Sequence, residues 1–194
     1  VYVVPQAGDL DGSGTLLAGV NTTLNLAGDL TNSGTVAGRN VLQINAQNVN
    51  NLAGRLTANQ ATVTAQQDVN NIGGTMDAQQ QLHVSAGNNL NIVSTTRTGQ
   101  GHDSGVASYS TTQMDRIAGL YVTGDNGQLN ASAGNNLNLT AAQIQNRGNN
   151  GTTTLSAGNN INLGAVSTGA SSQADWNHGN SLNLTQSKDM GSQV

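Results

Sequence analysis

The chain has 194 residues, 25 Gly, 28 Asn, no Phe and no Cys, with a formal net charge of −4 and a pI near 4.9. Six Lys and Arg scattered along such a chain make no basic stripe for nucleic acid. The lack of Cys excludes a disulfide framework and Cys-based metal sites, and no apolar run reaches the roughly 18 residues of a membrane-spanning helix. With only three Tyr and one Trp, a wide core filled by large rings is also excluded. What remains is a narrow core of Leu, Ile, Val and Ala, as in stacked coils that bury a few side chains per layer. Charge is scarce at 8% and Pro5 is the only proline, unlike a disordered chain. Gly and Asn tolerate left-handed backbone and suit tight corners.

At the N-terminus, Asp9-Leu-Asp-Gly-Ser-Gly14 hints at a calcium loop, but its twelfth position is Val20 rather than an acid, so it reads as a turn. From Leu24 a motif recurs: an apolar residue, small and polar residues, Asp or Asn, then an apolar residue. The copies are Leu24-Asn-Leu-Ala-Gly-Asp-Leu30, a shortened Ile44 to Val49, Val63-Thr-Ala-Gln-Gln-Asp-Val69, Val84-Ser-Ala-Gly-Asn-Asn-Leu90, Ala131-Ser-Ala-Gly-Asn-Asn-Leu137 and Leu155-Ser-Ala-Gly-Asn-Asn-Ile161. A weak last copy is His178-Gly-Asn-Ser-Leu182.

The Asp or Asn positions are Asp29, Asn48, Asp68, Asn89, Asn136, Asn160 and, in the weak copy, Ser181, at gaps of 19, 20, 21, 47, 24 and 21. The gap of 47 is two coils or one coil with an insertion. A second motif rides on the first: Leu30-Thr-Asn-Ser-Gly34, Val49-Asn-Asn-Leu-Ala-Gly54 and Val69-Asn-Asn-Ile-Gly-Gly74.

A period near 20 fits leucine-rich repeats or a β-helix. The intervening Thr, Ser, Asn and Gly are poor helix formers, and Leu42, Ile44 and Ala46 alternate with Gln43 and Asn45. The pattern therefore predicts an all-β, right-handed parallel β-helix with coils of about 20 residues, the hand taken from the general chirality of parallel crossovers. Eight to nine coils would make a rod about 40 Å long. Stacking predicts one apolar column of Ile44, Val63 and Val84. It also predicts one corner column of Asp29, Asn48, Asp68, Asn89, Asn136 and Asn160, whose side chains cap turn amides.

The motif fails near 93–118. The expected organisation is solenoid coils over 1–92, an insertion or hairpin over 93–118, and further coils over 119–194. Loops on a rigid scaffold are where binding concentrates, so candidate partner contacts are His102 and Tyr109 in the insertion, and Trp176. Trp176 would close a coil, cover a core edge or stack on a sugar. Gly99-Gln-Gly-His-Asp-Ser-Gly105 reads as a flexible loop rather than a phosphate cradle. His102, Asp103 and Ser104 are adjacent in sequence, which does not make a catalytic triad. Metal binding by His83, His102 and His178 would need a convergence that the sequence does not show. A polysaccharide-acting β-helix enzyme would need clustered carboxylates on one face; Asp29 and Asp68 are the one aligned pair. The expectation is no catalysis, no cofactor and no metal.

The copies Ser-Ala-Gly-Asn-Asn-Leu-Asn-Ile (85–92), Ser-Ala-Gly-Asn-Asn-Leu-Asn-Leu (132–139) and Ser-Ala-Gly-Asn-Asn-Ile-Asn-Leu (156–163) resemble haemagglutinin repeats of filamentous-haemagglutinin and CdiA-type exoproteins. The stretches 27–38 and 69–78 are similar to those repeats too. Asp115-Arg-Ile-Ala-Gly-Leu-Tyr-Val122, followed by the copy at 130–137, is similar to the later haemagglutinin repeat region of CdiA proteins. The resemblance implies a segment of a large protein on the bacterial surface, exported by two-partner secretion through an outer-membrane barrel that its N-terminal domain engages. It further implies adhesion, or contact-dependent growth inhibition by delivery of a C-terminal toxin to a target cell. This chain shows neither the secretion domain nor a toxin, and reads as a piece of a longer protein. Its open coil ends would favour end-to-end self-association.

Overall fold

The computed structural model describes residues 15–103, 107–177 and 179–194; the Asp9–Gly14 turn lies outside them. Every regular element is a strand. In chain order these are β1 (Leu16–Asn25), β2 (Leu30–Asn32), β3 (Thr35–Ala46), β4 (Val49–Leu52), β5 (Arg55–Ala65), β6 (Val69–Ile72), β7 (Thr75–Ala86) and β8 (Leu90–Val93). They continue with β9 (Thr95–Asp103), β10 (Ala107–Arg116), β11 (Gly119–Val122), β12 (Gln128–Ala133), β13 (Asn136–Thr140), β14 (Gln143–Asn146), β15 (Thr152–Ala157), β16 (Asn160–Asn177) and β17 (Asn180–Gly191).

The chain coils between two parallel sheets. One runs β1-β3-β5-β7-β11-β14, with β12 and β15 continuing the upper half of its later coils; the other runs β2-β4-β6-β8-β13-β16. The result is a parallel β-solenoid of about seven turns with coils of about 21 residues. Ile44 lies over Val63, and Val63 over Val84, all fully buried. In β5 the apolar Leu56, Ala58, Ala61, Val63 and Ala65 turn inward while Thr62 and Thr64 turn outward, the period-2 pattern a half-buried strand requires. Each layer contributes a handful of aliphatic side chains, such as Met76, Leu82, Val84, Leu90 and Ile92 of the 75–93 coil, all 0% exposed. A chain without Phe thus fills a core that is thin but continuous along the axis.

The 47-residue gap is one coil with an insertion, because Val84 of β7 pairs with Ala131 of β12. The 24-residue gap has a different origin. Early coils cross the first sheet in one long strand with a small irregularity, as between Ala58 and Gln60. The 119–142 coil breaks there into β11 and β12 around a turn with Asn126 at φ 56°, and the next coil repeats it with Asn150 at φ 55°.

Two readings need correction. About seven turns form, not eight to nine. The segment 119–194 is not coils throughout, because Ala165–Gly191 forms an antiparallel hairpin of β16 and β17. Within it Leu182, from the weak last copy, pairs with Ala174 across the hairpin instead of stacking on Ile161; His178 itself lies outside the described residues. A chain that can pair with itself locally closes a much shorter loop than one that must circle the rod.

Candidate functional site: asparagine ladders and a two-hairpin flange

The outer corner holds the predicted column, in a different bonding mode. The side chains do not cap their own turns; each reaches across to the neighbouring layer. Asp29 Oδ1 accepts the Asn48 backbone N–H at 3.1 Å, Asn48 Oδ1 that of Asp68 at 3.1 Å, and Asp68 Oδ1 that of Asn89 at 2.9 Å. Asn89 Oδ1 accepts the Asn136 N–H at 3.3 Å, and Asn160 Nδ2 donates to Asn136 Oδ1 at 3.3 Å. The column therefore crosslinks six layers at the place where parallel strands turn away from one another.

Two more ladders run beside it. On the outer face Asn50, Asn70, Asn91, Asn138 and Asn162 bond in sequence, each Nδ2 donating to the Oδ1 of the layer before at 2.7 to 2.9 Å. Inside the core, Asn32 donates to Asn51 and Asn51 to Asn71, both at 2.8 Å. Asn51 and Asn71 are 0% exposed. Each buried amide also donates to a corner carbonyl: Asn32 to Gly34 O, Asn51 to Gly54 O and Asn71 to Gly119 O. A Cβ on Gly54 would meet Asn32 Nδ2 at 2.3 Å, and one on Gly74 would meet Asn51 Nδ2 at 2.4 Å. The Asn-x-x-Gly spacing at 51–54 and 71–74, shortened to Asn-x-Gly at 32–34, is thus the signature of this buried ladder, a role the sequence reading missed. At Ile92 the ladder gives way to an apolar side chain.

The corner leading from the second sheet back to the first is where the chain departs from its repeat. Four coils cross it with two residues, Ser33-Gly34, Ala53-Gly54, Gly73-Gly74 and Ala141-Ala142, and in the last three the first of the pair is left-handed at φ 57°, 60° and 47°. The other two crossings hold hairpins. β9 and β10 fill the space between Ser94 and Ala118, whose backbone N–H donates to Ser94 Oγ at 2.9 Å. The second hairpin fills the space between Gly164 and Ser192. Ser192 Oγ accepts from the Ala142 N–H, and Gln193 rejoins the first sheet beside Gln143. Both hairpins leave the same corner two coils apart, and β10 pairs antiparallel with β16. Together they form a four-stranded antiparallel flange, β9-β10-β16-β17, attached to the rod through β16.

The flange carries all three candidate contact residues. Tyr109 is on β10 and 57% exposed, His102 is exposed on β9, and Trp176 is near the far end of β16 and 53% exposed. Trp176 covers no core edge. Gly99–Asp103 is strand rather than flexible loop, because β10 supplies partners for its backbone; 104–106, and with them Ser104, lie outside the described residues. His83 sits half-buried on an outward position of β7. Among the described residues no three of His, Cys, Asp and Glu converge. Asp29 and Asp68 are committed to the corner column, and Asp77 to Arg55 at 2.7 Å and to Thr57. Tyr121 lies on the first sheet, its hydroxyl donating to Gln143, and burial raises its pKa while nearby Arg147 pulls the other way.

The fold and site define a class, an all-β parallel solenoid bearing a lateral antiparallel flange. Comparison with protein-family models, curated proteins and solved structures returns no match.

Proposed function

We propose that the chain is a non-enzymatic rod segment of a large secreted exoprotein of the filamentous-haemagglutinin kind, and that its flange is the part that meets another surface. The observation that carries this is the paired departure of two hairpins from one corner. The coil between them turns that corner with two residues, so the excursions are not needed to build the rod. Rigid stacked layers supply length and direction, and the flange supplies area beyond the rod. In such a protein the rod serves contact-dependent toxin delivery by holding cargo outward from the secreting cell. A second reading, an adhesin segment binding a receptor or glycan through 93–118, is favoured by the exposure of Tyr109 and His102. A polysaccharide-acting enzyme is set aside because the aligned carboxylates are occupied by structural bonds.

The test is binding of the isolated chain to candidate target cells, compared with a variant in which 94–118 is replaced by Gly-Ala. Loss of binding with the rod still folded supports a contact role for the flange. Undiminished binding removes that role, and turnover on a polysaccharide panel would restore the enzyme reading.

A further inference from the structure

The last layer of the rod is left open. Leu155 and Ala157 of β15 are only partly buried, and Ile161 and Leu163 of β16 are 45% and 65% exposed, although Leu137 and Leu139 directly beneath the latter two are buried. Asn160 and Asn162 donate down to Asn136 and Asn138, and among the described residues no further layer follows to donate to their own Oδ1 atoms. On the flange, Leu182 and Leu184 of β17 are 50% and 61% exposed. Two leucines that could close a layer thus stand in water, a short stretch of chain away from a layer that needs closing.

The sequence of β17 matches that need. Gly179-Asn-Ser-Leu-Asn-Leu-Thr185 agrees at six of seven positions with Gly134-Asn-Asn-Leu-Asn-Leu-Thr140, the stretch that holds β13, on which β16 stacks. Ser181 follows Asn160 by 21 residues, the spacing from Asp68 to Asn89. Trp176 precedes Ser181 by five residues, as Val63 precedes Asp68, Val84 Asn89, Ala131 Asn136 and Leu155 Asn160. One register therefore satisfies the whole segment: Leu182 on Ile161, Asn183 on Asn162, Leu184 on Leu163 and Trp176 on Leu155. Inward and outward positions alternate correctly in it, and Asn183 extends the outer ladder of Asn138 and Asn162. The hairpin, by contrast, breaks its register at Trp176, between Asp175 and Asn177.

We propose that this segment exchanges between two pairings: the antiparallel hairpin, and a parallel strand over 179–185 seated on 160–164 as one further layer of the rod. In the exchange β17 gives up β16, and β16 gives up β10 along 107–112. The new coil pairs instead with β14, β15 and the start of β16, and Gln193 yields its place beside Gln143. Backbone bonds are traded for backbone bonds. The coil gains the burial of Ile161, Leu163, Leu182 and Leu184, whereas the hairpin gains a short closing loop. Opposed terms of this kind are what hold two packings of one sequence close in free energy. Covering the last layer releases β10 from β16, so the rod end and the flange compete for one segment, and whatever binds either one shifts the balance. The exchange does not depend on the flange meeting a target cell.

The chain has no Cys, so two introduced thiols report one distance. Asn162→Cys with Asn183→Cys places them about 5 Å apart in the coil, whereas in the hairpin Asn183 pairs with Gln173 and the two thiols are about 20 Å or more apart. A short bis-maleimide bridges about two strand spacings, 10 Å, and no more. It is expected to close the 162/183 pair within one chain, and also the reference pair Gln173→Cys with Asn183→Cys, which reports the hairpin. Leu163→Lys, at a site exposed in the hairpin, would place a charge under Leu184 in the coil, and should slow closure of 162/183 about tenfold or more while leaving 173/183 unchanged. Ser181→Asn, which restores the ladder residue over Asn160, should speed closure of 162/183 about threefold or more and move the emission of Trp176 to shorter wavelength. The proposal is overturned if 162/183 stays open while 173/183 closes. Closure that Leu163→Lys does not slow overturns it as well, since that marks a frayed strand rather than a seated one. So does a 162/183 product that is a crosslinked dimer at high dilution, which would place the strand on a second copy.

Discussion

At the scale of single residues, the asparagines separate into those that hold the rod and those that decorate it, by burial rather than by bonding pattern. Asn51 and Asn70 make the same interlayer bond at nearly the same length, but only Asn51 makes it in a site without water. Removing the Asn51 amide leaves Asn71 Oδ1 without its donor, whereas Asn32 Nδ2 keeps the Gly34 carbonyl and the Gly54 carbonyl keeps the Thr75 N–H, and one unpaired buried group costs about 1 to 3 kcal/mol. Asn51→Ala is therefore expected to lower unfolding free energy by about 1 to 3 kcal/mol, and Asn70→Ala, whose partners can turn to water, by less than about 1 kcal/mol. Urea unfolding of both variants decides this, and equal losses would mean that the buried ladder carries no special weight. The outer corner was legible from sequence because Asp29, Asn48, Asp68 and Asn89 recur at a steady interval beside apolar residues. The inner ladder was written in the same region, but an Asn flanked by turn residues reads as a turn until neighbouring layers bring three of them together.

At the scale of elements, the corner between the two sheets tolerates either a two-residue crossing or a hairpin of more than 20 residues. The register on both sides is the same in each case: Thr140 stacks on Val93 and Gln143 on Gly119, with two residues between in one coil and 25 in the other. Replacing 94–118 by Gly-Ala, which follows the Ala141-Ala142 crossing with Gly at the left-handed position, should leave the solenoid intact. The expected fall in melting temperature is less than about 5 °C, because the loop removed adds little closure entropy per residue and Leu90, Ile92 and Leu120 stay covered. Loss of cooperative unfolding, followed by circular dichroism, would show instead that β10 is needed to seat β16. The hairpins were the least legible part of the chain. β9 is rich in Thr and Gly and carries no apolar periodicity. Residues 180–185 repeat the coil motif yet pair backwards across the hairpin, because the local antiparallel partner won over the distant parallel one.

At the scale of the whole molecule, layers joined mainly by neutral amides and a thin aliphatic core leave little work for charge. Only 8% of residues are charged, and the Arg55–Asp77 pair is on the surface, where such pairs are worth about 0 to 1 kcal/mol and are screened by salt. The melting temperature should therefore move by less than about 3 °C between 0.05 and 1 M NaCl. A shift several times larger in calorimetry would mean that electrostatics hold the layers together.

Identical rungs carry a hazard for folding. When Asn70 can bond to Asn50 or Asn91 with equal ease, and Val63 is as content above Ile44 as below Val84, a chain that skips one coil loses little energy and could settle out of phase. The paired hairpins remove that ambiguity, since β10 finds β16 only when one plain coil lies between them. They act as alignment pins, and a rod that lacked them would have fewer means of counting its own layers.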